Sequence, residues 1–499
     1  MRDQIRADED ADDDCDIHVG SPDSRGYGRN TQSTYSSTSS RRQLTGYGGD
    51  VTRLRARDAL MYWMSAKLPN DQFLLYCFDS PTLDSAELRS AFLQRARRIA
   101  DLNVRVKDVP WNLDYPHWVP REIVPTDVVV QRPADSTWSG CLARIGGLLA
   151  TTVDPTVSPW RLHVFTDVRD APECTGPAVV VVLQISHALV DGQGSAMLAR
   201  ALFGPDESVD FVRESTPSAA ALVAESVVRA PVQFGRMIAA GVKAGRAYRE
   251  SVALAERGEL PPKMPGRELV AFNRRPDGPH SANVVVVPLA ALRSADFTVT
   301  IVALTALSVA ISTYLRDCGA EVPDRLGAEV TVAHRVGGTS RNSYSNVGVG
   351  LFPHEPDLAA RARLIKAELA QRRIRAAHPS ITTQGQSLDA TPAAFVRTGV
   401  VRFDLSRTPA TVSGNTVLTS IDRGPANLRF GGGPVRFTAG FPALSPAMGV
   451  THGIYTIGDT LALCIHSSPA ALPDAHSYES LIRKAIAEAG QALRITPKR

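Results

Sequence analysis

Apolar positions along this chain fall into two patterns, short unbroken runs and longer stretches with helical spacing. Phe73–Phe78 (FLLYCF), Val179–Ile185 and Val284–Val287 are of the first kind. Short continuous apolar runs of this sort suit strands buried on both faces. The second kind is clearest after Asp84. It stands three residues before Glu87, as in a capping box, and is followed by Leu88, Phe92, Ala96 and Ile99 on one helical face. A short helix is predicted over Arg57–Trp63, a charged helix from Leu358 to about Ala376, and a closing helix capped by Asp474. Gly458-Asp459, between Ile454–Ile457 and Thr460–Ile465, is a two-residue hairpin signal.

Two stretches admit more than one reading. Phe297–Leu315 runs nineteen residues without a charge, which meets the length of a membrane span. It also carries six Ser and Thr residues and has no partner span, so a buried core helix is predicted. Thr216-Pro217 reads as a helix start, and the residues up to Arg257 mix Ala, Val, Leu and Gly with Arg229, Arg236, Lys243, Arg246 and Arg249. Pro231 and Gly235 interrupt that pattern. One reading is an amphipathic connector lying on the protein; the other is a basic interfacial helix touching membrane lipid. Pro261-Pro262 and Pro265-Gly266 then mark a boundary. The resulting division is a tail over 1–50, a first lobe over 51–205, a helical connector over 206–266 and a second lobe over 267–499.

Composition changes the picture only at the start of the chain. Residues 1–16 carry eight acidic side chains against Arg2 and Arg6, and residues 23–50 are rich in Ser, Thr, Gly, Tyr and Arg. Such a segment buries too little apolar surface to offset its ordering entropy, so it is expected to be disordered. It has no apolar core of the kind a secretory signal needs. The whole chain has a net charge of +4; removing the −6 of residues 1–16 leaves +10 on the remainder. That modest basic balance suits a phosphate-bearing substrate or an anionic membrane surface. No aromatic-interleaved basic cluster or helix-turn-helix pattern points to nucleic acid. The six cysteines are scattered without metal-ligand spacing, as expected of reduced thiols in a reducing compartment.

The chemistry concentrates after the valine run. Ser186-His187-Ala188-Leu189-Val190-Asp191-Gly192 brings a titratable ring, a carboxylate and a glycine into one turn between a predicted strand and a predicted helix from Ser195 to Phe203. Histidine is the side chain most easily poised as a base near neutral pH. A lone histidine is otherwise a hydrogen-bonded core residue. His187 and Asp191 stand at i and i+4, a metal-binding spacing, but the sequence offers no third ligand. Ser195 lies in Gly192-Gln193-Gly194-Ser195-Ala196, which is not Gly-x-Ser-x-Gly, so a hydrolase nucleophile is excluded on spacing.

This segment resembles the His-His-x-x-x-Asp-Gly motif of CoA-dependent acyltransferases, shared with condensation domains of peptide synthetases. His187 matches the second histidine, Asp191 the aspartate and Gly192 the glycine, while Ser186 replaces the first histidine. The order from Asp58-Ala59 through Trp111–Pro120 is similar to the wax ester synthase/diacylglycerol acyltransferase family, and the resemblance runs over about residues 51–493. Trp160 matches within that family's Pro-Leu-Trp step, with Ser158-Pro159 before it. Thr300-Ile301 stand where the family carries Asn-Asp, and Arg335 and Asn346 match its strand-ending arginine and Gly-Asn step.

The resemblance implies an α/β fold of two chloramphenicol-acetyltransferase-like lobes, each a mixed sheet with helices, with a tunnel between them. It implies transfer of a fatty acyl group from acyl-CoA, as substrate rather than cofactor, to a long-chain alcohol or diacylglycerol. His187 would be the general base and Asp191 the residue that holds its loop, braced by Arg335. Ser186, Gly192, Arg335 and Asn346 would line the substrate site. No metal and no redox cofactor is needed. The expected location is the cytoplasm, with peripheral contact at the inner face of the membrane. The alternatives are a non-catalytic relative that keeps the fold for binding or scaffolding, favoured by Ser186 and Thr300-Ile301, and a condensation-like acyltransferase with another acceptor.

Overall fold

The computed structural model describes residues 53–79, 81–132, 134–205, 216–333, 340–342 and 344–494. The expectation for residues 1–50 therefore lies outside the described residues, as does Arg335.

Two six-stranded mixed sheets carry the fold. The first has the order β11-β12-β1-β6-β5-β4, with β1 over Gln72–Asp79, β4 over Val128–Gln131, β5 over Trp160–Val168, β6 over Ala178–Ile185, β11 over Arg429–Phe430 and β12 over Gly433–Gly440. The second runs β7-β14-β13-β10-β8-β9: β7 is Ser281–Pro288, β8 Gly327–Ala333, β9 Tyr344–Gly350, β10 Thr416–Asp422, β13 Val450–Ile457 and β14 Thr460–Ser467. A small ribbon pairs β2 (Val104–Lys107) with β3 (His117–Pro120). The valine run is the inner strand β6, antiparallel to both β1 and β5 and buried at every position. The division expected at residue 267 is crossed by an excursion: β11 and β12 leave the second lobe's sequence and complete the first sheet, Leu75 pairing with Ala439.

Ten α-helices are described: α1 (Ala56–Ser65), α2 (Ser85–Ala96), α3 (Trp138–Leu149), α4 (Gly192–Phe203), α5 (Ala219–Glu256), α6 (Val299–Asp317), α7 (Leu358–Ala377), α8 (Pro379–Gln386), α9 (Ala393–Arg402) and α10 (Ala475–Leu493). The capping box at α2 is present, Asp84 accepting from the backbone of Ala86 and Glu87 while Glu87 accepts from Asp84. The uncharged stretch forms α6, which is long and apolar enough to cross a membrane but is mostly buried, in the core of the second lobe against α7 and α10. Gly458 turns the β13–β14 hairpin at φ 56°, a conformation that costs glycine little.

The connector differs from expectation. Ser218, not Thr216, caps it, and α5 continues through Pro231 and Gly235 for 38 residues. Both residues lie on its exposed face, where a carbonyl that loses its helical donor to proline can turn to water.

Three apolar clusters hold these layers. One lies between the first sheet and α1, α2 and α4, where the rings of Phe78, Phe92, Phe203 and Phe430 meet at 5.4–6.5 Å. Such aromatic pairs contribute about 0.5–1.5 kcal/mol each beyond area burial. The second fills the other lobe around α6. The third joins the sheets, setting Leu75, Cys77, Val180 and Phe437 of the first with Val284, Tyr455 and Cys464 of the second. The lobes thus share a core, and a residue of one is held accurately against the other.

Candidate active site

The strand β6 ends at Ile185, and the chain turns at once. The Ser186 N–H donates to the Pro159 carbonyl and that of Leu189 to the Ser186 carbonyl, so the loop bearing His187 is closed by its own backbone. Asp191 ends the turn by capping α4: its Oδ1 accepts from the N–H groups of Gln193 (3.1 Å) and Gly194 (2.9 Å). Gly192, the first residue of α4, meets the other lobe, since a Cβ there would lie 2.7 Å from Cδ1 of Ile421 on β10. The backbone of the loop is therefore fixed from both ends.

The His187 ring is fixed by a residue from the second lobe. Its Nδ1 lies 2.7 Å from Oδ1 of Asn342, in the segment leading into β9. The Asn342 Nδ2 donates to the His187 carbonyl (2.8 Å) and to Oδ1 of Asp58 (2.9 Å). With its amide nitrogen facing two acceptors, Asn342 presents its oxygen to the ring, so Nδ1 carries the proton and Nε2 keeps its lone pair. The Tyr344 hydroxyl stands 3.3 Å from that Nε2. Burial lowers the His187 pKa below its ordinary value, a drop opposed by its own carbonyl and Asn342 and by the charges of Asp191 and Asp58. Burial also pushes the Tyr344 phenol up to about 12, aided by the charge of Asp191.

Asp58 on α1 is buried and accepts from the backbone of Arg341 and Asn342 and from the Ser340 hydroxyl as well. Burial raises its pKa, and these hydrogen bonds work against the rise. Arg341 donates to the Leu189 carbonyl (3.1 Å), pairs with Asp101 (2.8 Å) and accepts from the Asp191 N–H (3.2 Å) through its carbonyl. Residues 340–342 of the second lobe are thus stitched to the first on both sides of His187.

Of the residues singled out from sequence, the structure brings His187, Asp191 and Gly192 into one turn. Ser186, expected to line the substrate site, is buried, and its hydroxyl accepts from the Ala188 N–H at 3.3 Å. Asn346 lies two residues beyond Tyr344 on β9, hence on the same face, bonded to Thr331 and Glu329. The brace expected between Asp191 and Arg335 involves a residue outside the described ones. Ser195 is buried in α4 with its hydroxyl on the Gly192 carbonyl. Trp160 is a packing residue, buried with its indole N–H on the Leu102 carbonyl, and His163 bonds Gln184. Thr300 and Ile301 open α6, the first bonded to Ser420 and the second in the core. Asp58, Arg341, Asn342 and Tyr344 were missed as site residues. The one signal for them was a charged residue, Asp58, on the apolar face that Ala59 and Trp63 bury.

The architecture is a two-lobed α/β fold, two mixed sheets with helices and a histidine loop where they meet. Among solved structures it is similar to the wax ester synthase/diacylglycerol acyltransferase from Marinobacter aquaeolei VT8, with a TM-score of 0.59 at 16% identity, over 88% of this chain and 99% of that one. It is also similar to the starter condensation domain of rhizomide synthetase, solved in complex with C8-CoA and Leu-SNAC: TM-score 0.52, 12% identity, 90% of this chain and 97% of that one. A third is trichothecene 15-O-acetyltransferase from Fusarium sporotrichioides: TM-score 0.52, 13% identity, 89% of this chain and 95% of that one. No protein-family model and no curated protein matches the sequence.

Proposed function

We propose that this protein is an O-acyltransferase that moves an acyl group from acyl-CoA to an alcohol, with His187 as general base. The observation that carries the reading is the ring itself: Nδ1–H held by Asn342 and Nε2 directed at a hydroxyl, on the loop where the two lobes meet. An alcohol attacks a thioester only as its proton leaves. A neutral imidazole within about 3 Å takes that proton, contributing about 10²–10⁴-fold. The oxygen then bonds the carbonyl carbon, whose oxygen takes up negative charge. As the carbon–sulfur bond breaks, the imidazolium returns the proton to the departing CoA thiolate. Asp191 is a loop-holding residue in this scheme, acting through the α4 cap. Acyl-CoA is substrate, and the steps call for no cofactor.

A fatty acyl donor with a long-chain alcohol or diacylglycerol acceptor is the substrate pair favoured here, in keeping with the wax ester synthase likeness. The reading extends to a cytoplasmic protein in peripheral contact with the inner face of a membrane. In support, α5 turns Val228, Val232, Ile238 and Val242 to solvent beside Arg229, Arg236 and Lys243. The test is thiol release from a panel of acyl-CoAs, with and without long-chain alcohols, diacylglycerol or amines. Alcohol-dependent release supports the reading, and amine-dependent release alone favours a condensation-like activity. Binding of acyl-CoA with no release for any acceptor would mean a non-catalytic relative, the reading that buried Ser186 and Ile301 favour.

A further inference from the structure

We infer that Asp58 and Asn342 are positioning residues for His187, forming a carboxylate–amide–imidazole relay assembled from both lobes. The relay selects the ring tautomer in which Nε2 is the free base. The inference rests on the proposed acyl transfer for its effect on rate, but the tautomer itself does not.

A primary amide can face an imidazole in either of two ways. Asn342 presents an oxygen and an NH₂, and either could face the histidine ring. With the oxygen facing Nδ1, the ring must carry its proton there. With the NH₂ facing Nδ1, the ring would accept there, and the proton would move to Nε2, closing the base. What decides between the two lies on the far side of the amide. Oδ1 of Asp58 stands 2.9 Å from the Asn342 nitrogen. Turning the amide over would set two oxygens against each other at that distance in a buried site, with the Asn342 oxygen facing acceptors in place of a donor. The His187 carbonyl, 2.8 Å from the same nitrogen, adds a second acceptor that disfavours the turn.

Asp58 is itself placed by donors of the opposite lobe. The Asn342 and Arg341 N–H groups (3.1 and 3.2 Å) and the Ser340 hydroxyl (2.9 Å) all point at its carboxylate. The chain therefore runs from α1 of the first lobe, through residues 340–342 of the second, and back to the loop after β6. Its consequence is that the base is in working form only while the second lobe's segment is seated on α1. Asp191, four residues after His187 in sequence, uses its Oδ1 on the α4 backbone.

Long-range ¹H–¹⁵N NMR of the full-length protein, labelled at histidine and assigned with His187→Gln, reads the tautomer without any substrate. The wild-type ring is expected to be protonated at Nδ1 at neutral pH. Asp58→Asn is nearly isosteric but sets an NH₂ among the donors that face the carboxylate; it is expected to release the constraint and give a mixture of tautomers or the Nε2–H form. The double variant Asp58→Asn/Asn342→Asp places a carboxylate against Nδ1 and is expected to restore the Nδ1–H form. In the acyl-transfer assay, Asp58→Asn should lower kcat by about 10²-fold, within the range a general base contributes, with the acyl-CoA KM little changed. An Nε2–H wild-type ring overturns the relay, and so does an Asp58→Asn variant whose ring stays wholly Nδ1–H. If Asp58→Asn fails to fold, the wild-type ring and the double variant decide. A protein with the predicted tautomers and no acyl transfer would sink the proposed function and leave the relay standing, whereas activity with the wrong tautomer does the reverse.

Discussion

The Tyr344 hydroxyl stands 3.3 Å from Nε2 of His187, where the proposed chemistry needs the hydroxyl of an acceptor. Burial keeps the phenol protonated through neutral pH, so it donates to the base and competes with the acceptor for it. A net hydrogen bond of this kind is worth about 1 kcal/mol. Tyr344→Phe is therefore expected to lower the acceptor KM about fivefold and to leave kcat within a few-fold. If Tyr344 instead donated to the oxyanion, kcat would fall by about 10²–10³. Steady-state kinetics with the acceptor varied separates the two.

The pH dependence of turnover follows from the His187 environment. Burial lowers its pKa below 6.5, and the neutral ring is the active form, so kcat/KM is expected to stay level at neutral pH. It should fall only as pH drops through a midpoint below 6.5. The same depression has a stability consequence of matching sign. The unfolded chain takes up a proton before the folded one, so stability present above pH 6.5 is lost as pH falls through the folded pKa. His187→Ala is expected to remove alcohol-dependent CoA release while keeping a near-native thermal midpoint at pH 7.5. Near-normal turnover in that variant would take His187 out of the mechanism.

What the sequence made legible was local. The valine run and the turn after it lie within fifteen residues, and strand, base, cap and glycine follow one another in the order they have in space. The capping box at Asp84 and the Gly458-Asp459 hairpin are legible for the same reason. Partners of the base were not legible, because Asn342 is 155 positions from His187 and 284 from Asp58, and nothing in a polar Gly- and Ser-rich segment marks one asparagine among its neighbours. Nor did residues 433–440, with glycine at both ends, announce that they would pair with β1 in the other lobe's sheet. Pro231 misled because it sits on the exposed face of α5, where the carbonyl that loses its donor can turn to water.

Ser186 stands where the family motif has a histidine, and restoring that histidine is expected to harm the protein. The side chain is 1% exposed and lies behind the loop, bonded to the Ala188 N–H. Forcing an imidazole into that space strains a packed core, a change that typically costs about 1–3 kcal/mol. Ser186→His should lower the thermal midpoint by several degrees with no gain in turnover, whereas Ser186→Ala should cost about 1 kcal/mol or less. A variant with unchanged stability and a large gain in rate would show that the loop has room and that Ser186 limits the site.

The surface of α5 makes the membrane reading testable by itself. Apolar side chains that face water on a helix normally alternate with charge, but Val228, Val232, Ile238 and Val242 form one stripe, each more than half exposed. Arg229, Arg236 and Lys243 run along one edge of it, and Phe234 reaches across to Phe395 of α9 at 6.0 Å. A bilayer surface with anionic headgroups meets both features at once, each basic residue near it contributing about 1 kcal/mol. Full-length protein is expected to sediment with vesicles containing an anionic phospholipid and to be released by high salt. Binding to purely zwitterionic vesicles should be weak. Val232→Glu/Ile238→Glu should abolish sedimentation while leaving hydrolysis-corrected CoA release with a water-soluble alcohol unchanged. Equal sedimentation of wild type and double variant would assign the stripe to another partner.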